Sequence, residues 1–300
     1  MKTKSLARKK TIASRYSPLT VVLGIILLLY TLSLFGLLAW GFMSTFKSMN
    51  EFEHSYGLTF PKNPTLDYYK FFITNYHIDI YHKTQTVYLE TLFLNSFLYA
   101  IGCAILQTIV PCITAYVCAR YDFKFLKLYY LIVIVTMIIP IVGSQASEIA
   151  LAKSFGLIDH IWGLWVMKAN FIGFYFLIFF STFKNLPTAF AEAAKIDGAS
   201  NLKIMTRVML PLVRNEIVTI FLIYFIQFWN DYQTPLLYMP NKPTIFYAIY
   251  SVMAFPSFDQ TFGNVIGEMT LAFIGLIPTT LVFVIFHKKL LGSITVGGVK

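Results

Sequence analysis

Charge is scarce in this chain: Asp, Glu, Lys and Arg make up 13% of its 300 residues, about half the roughly 25% of a soluble domain. Cysteine is scarce too. Cys103, Cys112 and Cys118 share one apolar segment without metal-ligand spacing, so no structural disulfide is expected. No G-x-x-x-x-G-K-[ST] occurs, which excludes a P-loop for nucleotide phosphates. The five histidines are dispersed, with no H-E-x-x-H. No other cluster of acid, base or metal ligands points to an enzyme, and no metal is expected. Internal repeats and low-complexity tracts are missing as well, leaving one domain over residues 1–300.

What remains is apolar. Hydrophobic residues are 57% of the chain and the mean hydropathy is +0.66. A transmembrane helix needs about 20 apolar residues, so there is room for roughly six. Residues 1–18 hold Lys2, Lys4, Arg8, Lys9, Lys10 and Arg15 and no acid, ahead of an apolar run from Leu19 to Phe46. That run is too long for the roughly 7–15-residue core of a secretory signal, and reads as a first span. Residues 47–90 are polar and aromatic and are expected outside.

Further spans are expected from about Leu92 to Val117, Leu128 to Val142, Ile161 to Phe183, Ile217 to Tyr238 and Met269 to Phe286. The second opens on Asn95-Ser96, and Pro111 within it is expected to kink it. Seventeen of the 24 Lys and Arg fall in segments this topology puts inside. Positive-inside bias thus accounts for the net charge of +10 better than a nucleic-acid surface does. The class is an all-α membrane protein with six transmembrane helices, both termini cytoplasmic, multi-pass in the cell membrane.

The longest amphipathic interruption runs from Pro187 to Pro211, within a cytoplasmic loop of about 184–214. Pro187 suits a first helical turn, and Gly198 supplies a left-handed residue to end the helix. Ser200 caps a second short helix that places Leu202, Met205, Val208 and Met209 on one side, with Lys203 and Arg207 toward water.

Glu192-Ala193-Ala194, Gly198, and then Val208-x-Leu210-Pro211 resembles the E-A-A loop of ABC importer permeases. The fuller run Glu192 to Ala199 is similar to the carbohydrate-uptake, maltose-type branch. Val208 stands where the family usually has Ile. The resemblance is firmest from about Thr91 onward, with a permease core of about 91–287. It implies a type-1 permease fold and a coupling helix, with Glu192, Ala193, Ala194, Asp197, Gly198, Leu210 and Pro211 docking on a cytoplasmic ATPase. The ending Leu290 to Lys300 is similar to the G-x-T-x-G-G-V-K tail of one of the two permeases in such systems, with Ser293 and Ile294 standing close to the usual pattern. By that resemblance Gly297, Gly298 and Val299, in a tail of 288–300, reach between ATPase subunits.

Trp229-Asn230-Asp231 sits in the middle of the expected fifth span and resembles the W-N-[DE] motif of sugar-transporter permeases. Gln227, Asn230 and Asp231 are its candidate pathway residues, Gln227 sharing a helical face with Asp231. Asp231 either contacts solute or hydrogen-bonds a neighbouring helix. Lys168, the other embedded charge, either snorkels to the outer interface or lines the pathway.

The resemblance implies a second-type permease of a sugar or oligosaccharide importer. Its partners would be a homologous permease, two ATPase subunits that bind the ATP, and an extracellular solute-binding protein. No cofactor is expected on this chain. The alternatives are an importer for another solute such as glycerol-3-phosphate, and a secondary transporter with its own coupling-ion site.

Overall fold

The protein, as a computed structural model, is described over residues 17–55, 59–80, 85–139, 143–254 and 262–292. The basic N-terminal residues and the candidate tail residues Gly297, Gly298 and Val299 lie outside the described residues. The chain runs α1 (Pro18–Ser44), α2 (Met49–His54), α3 (Asp67–Thr74), β1 (His77–Ile80), β2 (Gln85–Tyr88), α4 (Leu89–Arg120), α5 (Lys124–Ile138), α6 (Gln145–Ser154), α7 (Ile161–Lys168) and α8 (Phe174–Asn185). It continues with α9 (Ala189–Ile196), α10 (Asn201–Ile204), a π-helical turn (Met205–Met209), α11 (Leu210–Leu212), α12 (Arg214–Trp229), α13 (Gln233–Tyr238), α14 (Ile245–Ala254) and α15 (Val265–Gly292).

Among the described residues three helices, α1, α4 and α15, are long and apolar enough to cross a membrane, and 201–212 with 214–229 makes a fourth if counted as one span bent by 74°. The expected third span is the 15-residue α5. The expected fourth is divided into α7 and α8, because Asn170 turns the chain: its Oδ1 accepts from the Ile172 N–H at 3.0 Å. The expected fifth stops at Trp229, nine residues short of Tyr238, which belongs to the separate α13. The chain is mostly helical, as expected, with one small two-stranded element besides. Strands β1 and β2 pair antiparallel, His77 with Tyr88 and Ile78 with Val87. The second strand, Gln85-Thr86-Val87-Tyr88, alternates polar and apolar with β-branched residues, and Val87 is buried.

Helix α4 is the post around which the rest packs. It lies against α12, α8, α7, α5 and α14, while α15 closes the far side against α12, α14, α3 and α1. Rings fill the seams: Tyr99 meets Phe228 edge-on at 5.7 Å, Phe97 meets Trp229 at 4.7 Å, and Tyr116 meets Phe183 at 5.4 Å. Helix α4 runs unbroken through Pro111.

Helix α1 stands apart, with Leu19, Leu27, Phe35 and Leu37 all exposed. It touches α15 near its end, where Phe42 meets Phe273. Leaving such side chains in water would cost about 1.5–3 kcal/mol each, so lipid is the solvent this helix fits.

One close approach decides how α7 sits on α4. A Cβ on Gly102 would lie 2.1 Å from the Trp165 indole, whose Nε1 donates to the Leu98 carbonyl at 3.0 Å. Gly102→Val is expected to push the indole off, costing about 1–3 kcal/mol as an overpacked core site. Thermal unfolding of the purified protein in detergent checks this. The control Gly24→Val, where a Cβ meets nothing within 4 Å, should leave the transition unchanged.

Candidate coupling loop and interior polar motif

The loop after α8 is a helix–glycine–helix unit. Its first helix, α9, starts at Ala189 with Thr188 as cap residue, so Pro187 precedes the helix instead of sitting in its first turn. The end of α9 is a Schellman motif: the Gly198 N–H donates to Lys195 at 3.1 Å and the Ala199 N–H to Ala194 at 3.0 Å. Gly198 takes φ +77, the left-handed value the motif requires. Ser200 then caps α10, its Oγ accepting from the Lys203 N–H at 3.4 Å.

Glu192, Ala193 and Asp197 are exposed and Ala194 is half-buried beside Ala199. Leu210 is half-buried and Pro211 exposed in α11. The expected buried face holds for Met205, Val208 and Met209 but fails for Leu202, which is 67% exposed; Ile204 is buried in its place. The reason is the π turn at 205–209, which widens the helix by one residue and shifts the register of everything before it. Phe190, Ile196 and Leu202 stand exposed on the loop.

Trp229-Asn230-Asp231 closes α12 instead of lying inside it. The Trp229 indole N–H donates to the Gly275 carbonyl at 2.9 Å, pinning α12 to α15. Asn230 is exposed and returns its Nδ2 to the Ile226 carbonyl at 2.9 Å. Asp231 is half-buried, accepting from the Tyr99 hydroxyl on Oδ2 at 2.8 Å and from the Thr234 N–H on Oδ1 at 3.0 Å. It thereby joins α4 to the first turn of α13. Because the helix ends at Trp229, Gln227 and Asp231 do not share a helical face; Gln227 is exposed. Lys168 ends α7 with its ammonium 5.9 Å from the buried Phe228 ring, and Cys103 lies in the field of both Lys168 and Asp231.

The structure adds residues that were not among the candidate site residues. Asn95, Tyr99, Cys103 and Gln107 recur every fourth residue along one face of α4, flanked by Ser96 and Thr108. Asn95 donates to the Pro243 carbonyl at 3.0 Å, and the Ser96 Oγ accepts from the Ile245 N–H at 2.8 Å. The i, i+4 spacing of polar residues within an apolar helix was the available signal.

A long central helix, a broken partner and an amphipathic loop between α8 and α12 mark a helical membrane protein. A family model described as binding-protein-dependent transport system inner membrane component matches residues 107–291, more than half the chain, and the chain belongs to that family.

Among its relatives, the polygalacturonan/rhamnogalacturonan transport system permease protein YtcP of Bacillus subtilis is 29% identical over 70% of this chain and 74% of its own. The sn-glycerol-3-phosphate transport system permease protein UgpE of Agrobacterium fabrum is 29% identical over 67% and 71%. A chain from the crystal structure of a bacterial ABC transporter involved in the import of the acidic polysaccharide alginate superposes with a TM-score of 0.72 at 19% identity. That match covers 91% of this chain and 98% of the other and shows the shared fold.

The two bonds of Asp231 give a testable ranking. Asp231→Ala removes a helix cap and a charged hydrogen bond and is expected to cost about 2–3 kcal/mol. Asp231→Asn and Tyr99→Phe should each cost about 1 kcal/mol or less. Unfolding temperatures of the purified variants check the order. A solute-contact role would instead leave stability alone and raise the KM for uptake.

Proposed function

We propose that this chain is one of two permease subunits of an ABC importer for a sugar or oligosaccharide in the cell membrane. Six spans put both termini and the 184–214 loop in the cytoplasm, and the chain forms one permease domain with a core of about 91–287. Two separate ATPase subunits supply the energy and an extracellular solute-binding protein delivers the cargo. The family match carries this reading, with the loop as its physical counterpart. Phe190, Ile196 and Leu202, exposed beside Lys195, Lys203 and Arg207, form the kind of mixed surface that a protein partner covers.

In this reading Glu192, Ala193, Ala194, Asp197 and Gly198 seat α9 in the ATPase, and Leu210 and Pro211 set where the loop returns to α12. Gly297, Gly298 and Val299 reach between the ATPase subunits. Solute binding to the delivered complex biases inward- and outward-open states, which is the only work the permease itself performs.

An acidic solute is a second reading, favoured by Lys168. Its half-buried ammonium ends a broken helix, and no carboxylate lies within salt-bridge distance of it among the described residues. An embedded cation costs about 2.5–3.5 kcal/mol on insertion scales, and an anionic sugar or glycerol phosphate would offset part of that.

Uptake of labelled neutral oligosaccharides, acidic oligosaccharides and glycerol-3-phosphate, compared between a deletion strain and its complement, tests both readings. Unchanged uptake of all three in the deletion strain would sink them together. Gly198→Val forces a β-branched residue to positive φ at about 1–3 kcal/mol. It is expected to leave membrane insertion intact while losing ATPase co-purification and uptake. Removing residues 295–300 should likewise spare insertion and lower solute-stimulated ATP hydrolysis and uptake together.

A further inference from the structure

A cavity of about 380 Å³ opens at the loop end of the bundle, between the end of α4, the start of α5 and the end of α8. Among the described residues, Arg120, Lys127 and Lys184 line it against a single carboxylate, Asp122, together with Tyr121 and Tyr130. Each cation is held differently. Arg120 donates from Nη2 to the Leu186 carbonyl at 2.9 Å, while its Nε is buried without a hydrogen-bond partner among the described residues. The Lys184 ammonium is 5.7 Å from the Phe180 ring centroid. Lys127 reaches Asp122 at 2.8 Å, with both side chains mostly exposed. That ammonium, by hydrogen bond and by charge, keeps the Asp122 carboxyl below the usual carboxylate range. Asp122 therefore stays ionised and satisfies one cation, leaving two in excess.

The cavity's height in the molecule is set by its neighbours. Leu128, Leu131, Ile132 and Val135 of α5 are exposed in a row that begins beside Lys127. Apolar exposure of that kind is a lipid-facing surface, and the cations stand at its edge, where headgroups lie. Tyr121 and Phe123 stack there with centroids 6.3 Å apart, as interfacial aromatics do.

We propose that this cavity binds the phosphodiester of an anionic phospholipid, its acyl chains running down the exposed face of α5. The phosphate oxygens accept from Lys184, beside the Arg120 guanidinium that lines the cavity, with Lys127 shared between lipid and Asp122. Because Arg120 also holds Leu186, the residue that leads into the 187–211 loop, a bound headgroup braces the start of that loop.

The test uses the transport complex purified in mild detergent from membranes containing phosphatidylglycerol and phosphatidylethanolamine, with retained lipids measured by native mass spectrometry. Arg120 is left in place because its bond to Leu186 is structural. Lys127→Gln with Lys184→Gln is expected to weaken phosphatidylglycerol retention roughly 30-fold, which is about 2 kcal/mol at about 1.4 kcal/mol per decade. Phosphatidylethanolamine should be unaffected, and Lys→Arg at both sites should restore retention. Equal phosphatidylglycerol retention by wild type and the Gln variant overturns the proposal. Displacement of the lipid by millimolar inorganic phosphate overturns the lipid assignment in favour of a free phosphate. Loss of the ATPase subunits with lipid retention intact assigns the cations to a protein partner and also overturns it. None of these readouts depends on which solute is carried.

Discussion

Where the chain leaves helix at the 230–245 end of the bundle, side chains of α4 meet it. Asn95 and Ser96 receive the segment entering α14, and Tyr99 holds the carboxylate that caps α13. In a lipid solvent an unpaired backbone group costs several kcal/mol, so the interruptions near residues 230–245 are possible because α4 carries a polar stripe to satisfy them. The stripe in turn requires α4 to be long and continuous, which fixes it as the central post. Short helices α13 and α14 can then pack without spanning anything themselves.

The same constraint separates what was legible in the sequence from what was not. The helix–glycine–helix loop was readable because its determinants are local: Gly198 must supply positive φ and Ser200 must supply a cap, and both do. The face of its second helix was misjudged at Leu202 because a π turn has no composition of its own. The end of the fifth helix was misplaced because residues 232–238 remain apolar enough to extend a hydropathy window. The helix stops where Pro235 could not continue the ladder to residue 231, and Asp231 there bonds across to Tyr99, 132 residues away in sequence.

The interior motif shows the limit most clearly. Three adjacent residues that read as one unit in the sequence point in different directions: Trp229 to α15, Asn230 back along its own helix, and Asp231 to α4 and α13. Charge in an apolar run singled out the position, but did not say that its carboxylate bonds to α4 and α13. The break between α7 and α8 left a fainter trace, a single Asn170 within an apolar stretch, and its consequence for Lys168 could not be read before the neighbouring helix was in place.

The 74° bend between residues 201–212 and 214–229 has a mechanical meaning. Two rods joined at that angle act as a crank. A push along the axis of the first arrives at the second mostly as a sideways swing, with little sliding along its length. Val213 at the corner is fully buried. Motion imposed on the polar loop would therefore tilt α12 against α4, opening or closing the seam between them instead of ratcheting one helix past the other.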